Sequence, residues 1–239
     1  MKQIIIQFLQ QQLGHKPAII GLSGGIDSAT VAYALVAAID VHKVHGYILP
    51  SAYTSATDIS DAYAVANELA ILVKEISIQP ILEAFHAATD VYDQKLAGMN
   101  LQARIRMSLL YGHANTLNGL VVGTGNKTER MVGYFTKYGD GGVDILPLGD
   151  LYKYQVYDLA CELGVPETII QKAPSAGLYE GQTDEAELGI TYKELDAILE
   201  TQEQGGDFSR FPAAEIIRVN ALRSVAQHKQ ALPPMPIPS

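Results

Sequence analysis

Two kinds of apolar pattern alternate along the first half of the chain. Residues 2–13 space their apolar positions as an amphipathic helix, and "ATVAYALVAAI" is long enough to be a buried helix over 27–39. Between and after these, "PAIIGLS" (17–23), "VHGYILP" (44–50) and "VKEISI" (73–78) are short apolar stretches that read as strands, the first without any polar alternation. Thr57 or Asp58 can cap a further helix running to about Leu72. The order β-α-β-α-β predicts a parallel sheet with helices on both faces.

The second half continues the scheme and then loosens. A helix over about Asn100–Leu117 carries Leu101, Ile105 and Leu109 on one stripe, and "GLVVGTG" (119–125) supplies another buried strand. "GYFTKYGDGGVDILPLG" (133–149) is too rich in glycine to be regular; a helix over 150–163 follows, with Lys153 in its first turn and Gly164 as its stop. "KAPSAGLYEGQTDEAELG" (172–189) mixes Pro, Gly and small polar residues, and loops of this length in a compact domain usually serve function. Residues 191–200 and 210–228 read as helices, and the tail "ALPPMPIPS" (231–239) as neither helix nor strand.

Composition narrows the class. With 239 residues, 48% hydrophobic and 18% charged, the chain suits one globular α/β domain and excludes wholesale disorder. A net charge of −9 argues against a general nucleic-acid or anionic-membrane surface, so a polyanionic ligand must be held locally. Cys161 is the only cysteine, which rules out an internal disulfide or a zinc quartet and fits a reducing cytoplasm; its helical setting beside Leu159 and Leu163 predicts a packed core thiol. No stretch has the features of a secretory signal, and the longest apolar run, near 29–39, is too short to span a bilayer.

The chemistry concentrates in "GLSGGIDS" (21–28), between the first strand and its helix. Glycines let backbone N–H groups approach an anion, the Ser23 and Ser28 hydroxyls can donate, and the helix N-terminus adds partial positive charge. The Walker lysine is missing and Asp27 is present. A carboxylate beside a pyrophosphate repels it unless a cation lies between them, so Asp27 implies Mg2+. The plain alternative is a glycine turn followed by a Ser/Asp helix start. "GTGNKTE" (123–129) also follows an apolar strand, but Asn126 stands where a second Walker glycine would be.

"SGGIDS" after a first strand resembles the pyrophosphate loop of the ATP pyrophosphatase group, which cleaves ATP to AMP and pyrophosphate. "NLQARIR" (100–106), "GTGNKTE", "FTKYGDGGVDILPLGDLYK" (135–153) and "PSAGLYEGQTDE" (174–185) together resemble the NAD synthetases, in this order and over nearly the whole chain. The resemblance implies a single synthetase domain over 1–239 with a Rossmann-like, doubly wound parallel sheet of the adenine nucleotide alpha hydrolase type, and a Pro-rich tail at 231–239. It is closest to the ammonia-using form, since the glutamine-dependent members carry an amidase domain that a chain of this length leaves no room for.

The same resemblance assigns roles. Gly21, Leu22, Ser23, Gly24, Gly25, Ile26, Asp27 and Ser28 would hold ATP together with Thr124, Lys153 and Ser175; Asp27 and Glu129 would hold Mg2+; Asp27 and Lys153 would be the catalytic pair. Arg104, Lys137, Asp144, His228 and Lys229 would bind deamido-NAD. Arg104 and Arg106 lie about 200° apart on a helix and cannot both face one ligand; the resemblance selects Arg104 and leaves Arg106 to a structural ion pair. A homodimer is implied, with deamido-NAD near the subunit interface. The reaction expected is amidation of deamido-NAD+ by ammonia through an acyl adenylate, with the loops at 139–142 and 173–183 as lids. The rivals are another enzyme with this loop, of the GMP synthetase or tRNA-modifying kind, and a non-catalytic adenine-nucleotide sensor.

Overall fold

Strand β1 (Ala18–Gly21) sets the plan of the sheet. Ala18 and Ile20 join one hydrophobic core and Ile19 joins another, and all three are fully buried. A strand covered on both faces has this continuous apolar character, because successive side chains point to opposite sides. The computed structural model describes residues 1–236 and adds β2 (Val44–Ile48), β3 (Leu72–Glu75) and β4 (Leu120–Val122), all parallel and ordered β3-β2-β1-β4. The chain therefore builds outward from β1 to β3 and then returns to place β4 on the other side of β1. A crevice opens at the carboxyl ends of β1 and β4, where open α/β sheets hold their ligands.

Helices clothe both faces. Helices α1 (Lys2–Leu13), α2 (Ile26–Ala38) and α3 (Ala56–Glu68) share one core with Ala18, Ile20, Val44, Ile48 and Val122. Helices α4 (Gln79–Ala88) and α5 (Lys95–Leu117) share the other with Ile19, Tyr47, Leu49 and Val121. Helix α6 (Lys127–Val132) follows β4, and α7 (Lys153–Leu163) packs on α2 in the first core; α8 (Glu167–Ile170) is a single turn. Residues of α6, α9 (Asp184–Leu188), α10 (Tyr192–Gln204) and α11 (Ala213–Gln230) form a third core around Leu195, Ile198 and Val219.

The expected layout holds, with local corrections. Ser55, and not Thr57 or Asp58, caps α3, its hydroxyl accepting from Asp58 N at 3.0 Å. The helix over 100–117 starts five residues earlier, at Lys95, and α4 occupies a stretch to which no element was assigned. The helix expected over 150–163 begins at Lys153, with Gln155 Oε1 reaching back to accept from Tyr152 N at 2.9 Å. Cys161 is exposed and is not a core thiol. The buried face of α7 is Lys153, Val156, Leu159 and Ala160, and Cys161 is turned about 100° beyond Ala160. Residues 133–149 contain no helix or strand, only a parallel bridge of Ile145 to Val122 that extends the sheet edge. Of the proline-rich tail, 231–236 is neither helix nor strand and 237–239 lie outside the described residues. No described helix is long and apolar enough to cross a membrane.

Candidate functional site

The phosphate-type loop leaves β1 at Leu22 and enters α2 through Gly25, which occupies the N-cap with extended backbone. Its internal bonds fix its shape: Ser28 Oγ donates to Gly25 O at 3.0 Å, Ser23 Oγ lies 3.0 Å from Ser28 Oγ, and Gly25 N donates to Ser23 Oγ at 3.2 Å. Gly24 adopts φ +79°, and a Cβ there would stand 2.2 Å from the carbonyl oxygen of Asp58, so only glycine lets the loop pass the start of α3. Lys172 holds this junction closed. Its ammonium reaches Asp58 Oδ1 at 2.5 Å, Asp61 Oδ2 at 2.7 Å and Gly24 O at 3.3 Å, tying the start of the 173–183 loop to α3 and to the phosphate-type loop.

Asp27, in the first turn of α2, is met by two groups from the far side of the crevice. Asn126 Nδ2 donates to its Oδ1 at 3.0 Å, and the Lys153 ammonium donates to its Oδ2. Lys153 also lies 3.7 Å from Glu129 Oε1 and is 1% exposed. Glu129 is placed by a capping box at the start of α6: its backbone N–H donates to Asn126 Oδ1 at 2.9 Å, and its carboxylate accepts from Asn126 N at 3.1 Å. Behind Lys153, its backbone N–H donates to Thr128 Oγ1 at 2.9 Å, and Thr128 donates in turn to Asp196 of α10.

Electrostatics follow from burial. Glu129 is pushed well above the ordinary carboxylate range by desolvation and by the charge of Asp27, with Lys153 pulling the other way. For Lys153, burial favours the neutral form, but Asp27 and Glu129 outweigh it and hold the amine charged. Without a further cation Glu129 therefore favours its protonated form, and only when both are ionised do the two carboxylates outnumber the one ammonium. They fit a Mg2+ ion, which takes one or two protein carboxylates and completes its shell with phosphate oxygens and water. No cluster of three or more His, Cys, Asp or Glu groups suited to a metal exists among the described residues, so Asp27 and Glu129 are the two protein carboxylates that would hold the ion.

Asp27 and Glu129 border a cavity of about 560 Å3 that runs from the phosphate-type loop past the ends of β2 and β4 to α5, whereas Asn126 and Lys153, the latter expected to bind ATP, stand behind its wall. Asp27, Ser28, Thr124, Glu129 and Ser175 line it. Gly123 passes so close to Val143 and Leu146 that a Cβ would sit 2.7 Å from Leu146 Cδ1, which brings the β4 loop tightly against 143–146. Ser175 Oγ donates to Gln182 O at 2.7 Å and so folds the 173–183 loop on itself, while Gln102 Nε2 on α5 donates to Leu178 O at 3.0 Å and anchors that loop from the opposite wall.

The residues expected for the second substrate gather at one corner. Lys137 donates to His228 O; Lys229 Nζ donates to Gly133 O at 2.6 Å and Phe135 O at 2.7 Å; Arg104 is exposed, with Nη2 3.5 Å from Lys137 O. Of these four, Lys229 alone lines the cavity. Asp144 stands apart at the edge of the sheet, accepting from Val121 N at 2.7 Å and Tyr111 OH at 3.2 Å.

Arg106 departs from the ion pair expected of it. It lines the cavity, donates through Nε to Leu49 O at 2.9 Å, and has its pKa pushed down to about 10 by burial, with Asp140 as the opposing charge nearby. The sequence also passed over Asn126 as a binding residue, although the Asn-x-x-Glu spacing from Asn126 to Glu129 is itself a capping-box signal. Asp184 had no local signal: it is 5% exposed, accepts from Tyr134 OH and Tyr192 OH at 3.0 Å each, and lines the cavity.

A family model described as NAD synthase matches residues 1–233. The NH(3)-dependent NAD(+) synthetase of Methanococcoides burtonii is 52% identical over 204 residues, covering 83% of this chain and 78% of that protein. Among solved structures, the NMN synthetase of Francisella tularensis is similar with a TM-score of 0.90 and 40% identity, covering 98% of this chain and 96% of that one. The NH3-dependent NAD synthetase of Campylobacter jejuni, solved with nitrate, is similar with a TM-score of 0.86 and 29% identity, covering 99% and 97%.

Proposed function

The chain belongs to the NAD synthase family, and from that premise we propose that it converts deamido-NAD+, ATP and ammonia into NAD+, AMP and pyrophosphate as a C–N-forming ligase. The observation that carries the reading at the site is the convergence of the phosphate-type loop and the Asp27–Glu129 carboxylates on the wall of one cavity, with buried Lys153 bonded to Asp27 from behind that wall.

The chemistry follows from the substrate. A carboxylate resists ammonia because it is a poor electrophile and oxide is a poor leaving group. Its oxygen therefore attacks the α-phosphorus of ATP, the bond to pyrophosphate breaks, and an acyl adenylate forms. Ammonia then adds to the carbonyl carbon, loses a proton and expels AMP. Both steps need stabilisation of developing negative charge more than a nucleophilic side chain. The loop N–H groups with Ser23 and Ser28 hold the leaving pyrophosphate, Thr124 and Ser175 hold ATP, and Lys153 supplies positive charge beside the α-phosphate. When bound between Asp27 and Glu129, Mg2+ would act as a Lewis acid on phosphate oxygens. Arg104, Lys137, Asp144, His228 and Lys229 hold the dinucleotide, with part of that site completed by the second subunit of a homodimer. The enzyme is a single synthetase domain and works in the cytoplasm.

Incubating the pure protein with ATP, Mg2+, ammonium and deamido-NAD+ tests the reading: AMP and NAD+ should appear in equal amounts, and formation of neither sinks it. The likeness to an NMN synthetase favours a second reading, in which the acid amidated is the mononucleotide. A larger kcat/KM for deamido-NMN than for deamido-NAD+ in the same assay would put that reading first.

A further inference from the structure

A second cleft, of about 310 Å3, opens between α7 and α10 on the side of Lys153 away from the phosphate-type loop. Lys153 and Tyr192 line it, and each is bonded to a carboxylate of the main cavity: Lys153 donates to Asp27, and the Tyr192 hydroxyl donates to Asp184 Oδ2 at 3.0 Å. Asp27 and Asp184 line the main cavity and not the cleft. The Lys153 ammonium lies 5.1 Å from the centre of the Tyr192 ring. Lys153 and Tyr192 thus stand between the cleft and two carboxylates of the main cavity.

We propose that this cleft is the entrance by which ammonia reaches the acyl adenylate. The proposal rests on the amidation reading above. Two nucleotides and the 173–183 loop fill the front cavity when the intermediate exists, so the nitrogen donor needs another way in. The cleft's chemistry suits the donor. Tyr154, Tyr157 and Tyr192 present aromatic walls, and Asp196 and Glu200 add negative charge, a combination that attracts ammonium from water. Lys193 stands at the exposed rim and opposes this in part. Asp196 is committed to Thr128 and to Tyr154 N, which leaves Glu200, partly exposed and accepting from Tyr154 OH at 3.3 Å, as the lining carboxylate with an oxygen left to draw a cation. At the inner end the charged Lys153 repels a cation. The ammonium therefore leaves its proton with water at the mouth, and neutral ammonia passes Lys153 and Tyr192 to the carbonyl carbon.

Ala197 lines the cleft without a side-chain hydrogen bond, so enlarging it obstructs the passage and removes nothing from the catalytic cluster. In Ala197→Trp the KM for ammonium should rise about tenfold or more while the KM values for ATP and deamido-NAD+ stay within about twofold. Glu200→Gln, a change at a partly exposed position that tests the same point without steric risk to folding, should raise the ammonium KM alone by a few fold, and more at low ionic strength than at high. Unchanged ammonium KM in both variants, or a matching rise for ATP, overturns the entrance. Failure of the unaltered chain to form NAD+ or NMN overturns the amidation reading itself, and the entrance with it.

Discussion

Lys153 and Asp27 are 126 positions apart in the chain and meet side chain to side chain, with Glu129 Oε1 3.7 Å from the same ammonium. One buried cation thereby closes the crevice between the start of α2 and the start of α6. Its removal has two separable consequences, one for folding and one for chemistry.

Lys153→Met leaves Asp27 and Glu129 facing each other without compensation. In the absence of Mg2+ its stability to urea should fall by about 3–5 kcal/mol, the usual cost of breaking a buried pair from one side. Saturating Mg2+ and ATP should restore part of that stability but not turnover. Asp27→Asn should lower AMP formation by about a hundredfold or more. Retained activity there would remove Asp27 from the metal site.

Gly24 and Gly25 should separate loop shape from loop function. Gly24→Ala places a Cβ against the carbonyl of Asp58 at positive φ, so both thermal stability and ATP binding should drop. Gly25→Ala meets nothing in the protein closer than Ser23 Oγ at 3.4 Å, so the melting temperature should hold while ATP affinity, read by calorimetry, falls. Equal losses of stability in the two would show that Gly25 serves the fold.

Arg106→Met removes a desolvated guanidinium that donates through Nε to Leu49 O. Stability should stay level or rise, since an apolar group of similar volume suits the site better than a buried charge. The KM of one nucleotide substrate should rise about tenfold or more, because donors facing the cavity lose their role. Unchanged KM values for both would make Arg106 a structural residue after all.

The loops at 139–142 and 173–183 should exchange amide hydrogens faster in the free protein than with ATP and Mg2+ bound. Hydrogen-exchange mass spectrometry reads both segments directly. Equal protection in the two states counts against their acting as lids.

Local signals carried far in this chain. Continuous apolar runs identified β1, β2 and β4 because burial on both faces of a parallel sheet leaves no room for alternation. β3 was harder to bound. Leu72 and Glu75 are exposed at the sheet edge, and beyond Glu75 the pairing continues only as single bonds, Ile76 N to Ile48 O and Ile78 N to Pro50 O, both at 2.9 Å. The placement of Cys161 failed for a related reason, since neighbours in sequence do not say which side of α7 meets the core.

The sequence by itself determined the parallel α/β plan, the phosphate-type loop at 21–28 and the presence of Asp27 in it, because each depends on residues within a few positions of one another. Tertiary structure alone decided which of Arg104 and Arg106 enters the cavity, that Asn126 and Lys153 both close on Asp27, and that a cleft reaches Lys153 from behind. The physical reason is the strand order: β4 returns to the side of β1 after two outward crossovers, and only that return brings the starts of α2, α6 and α7 to one point.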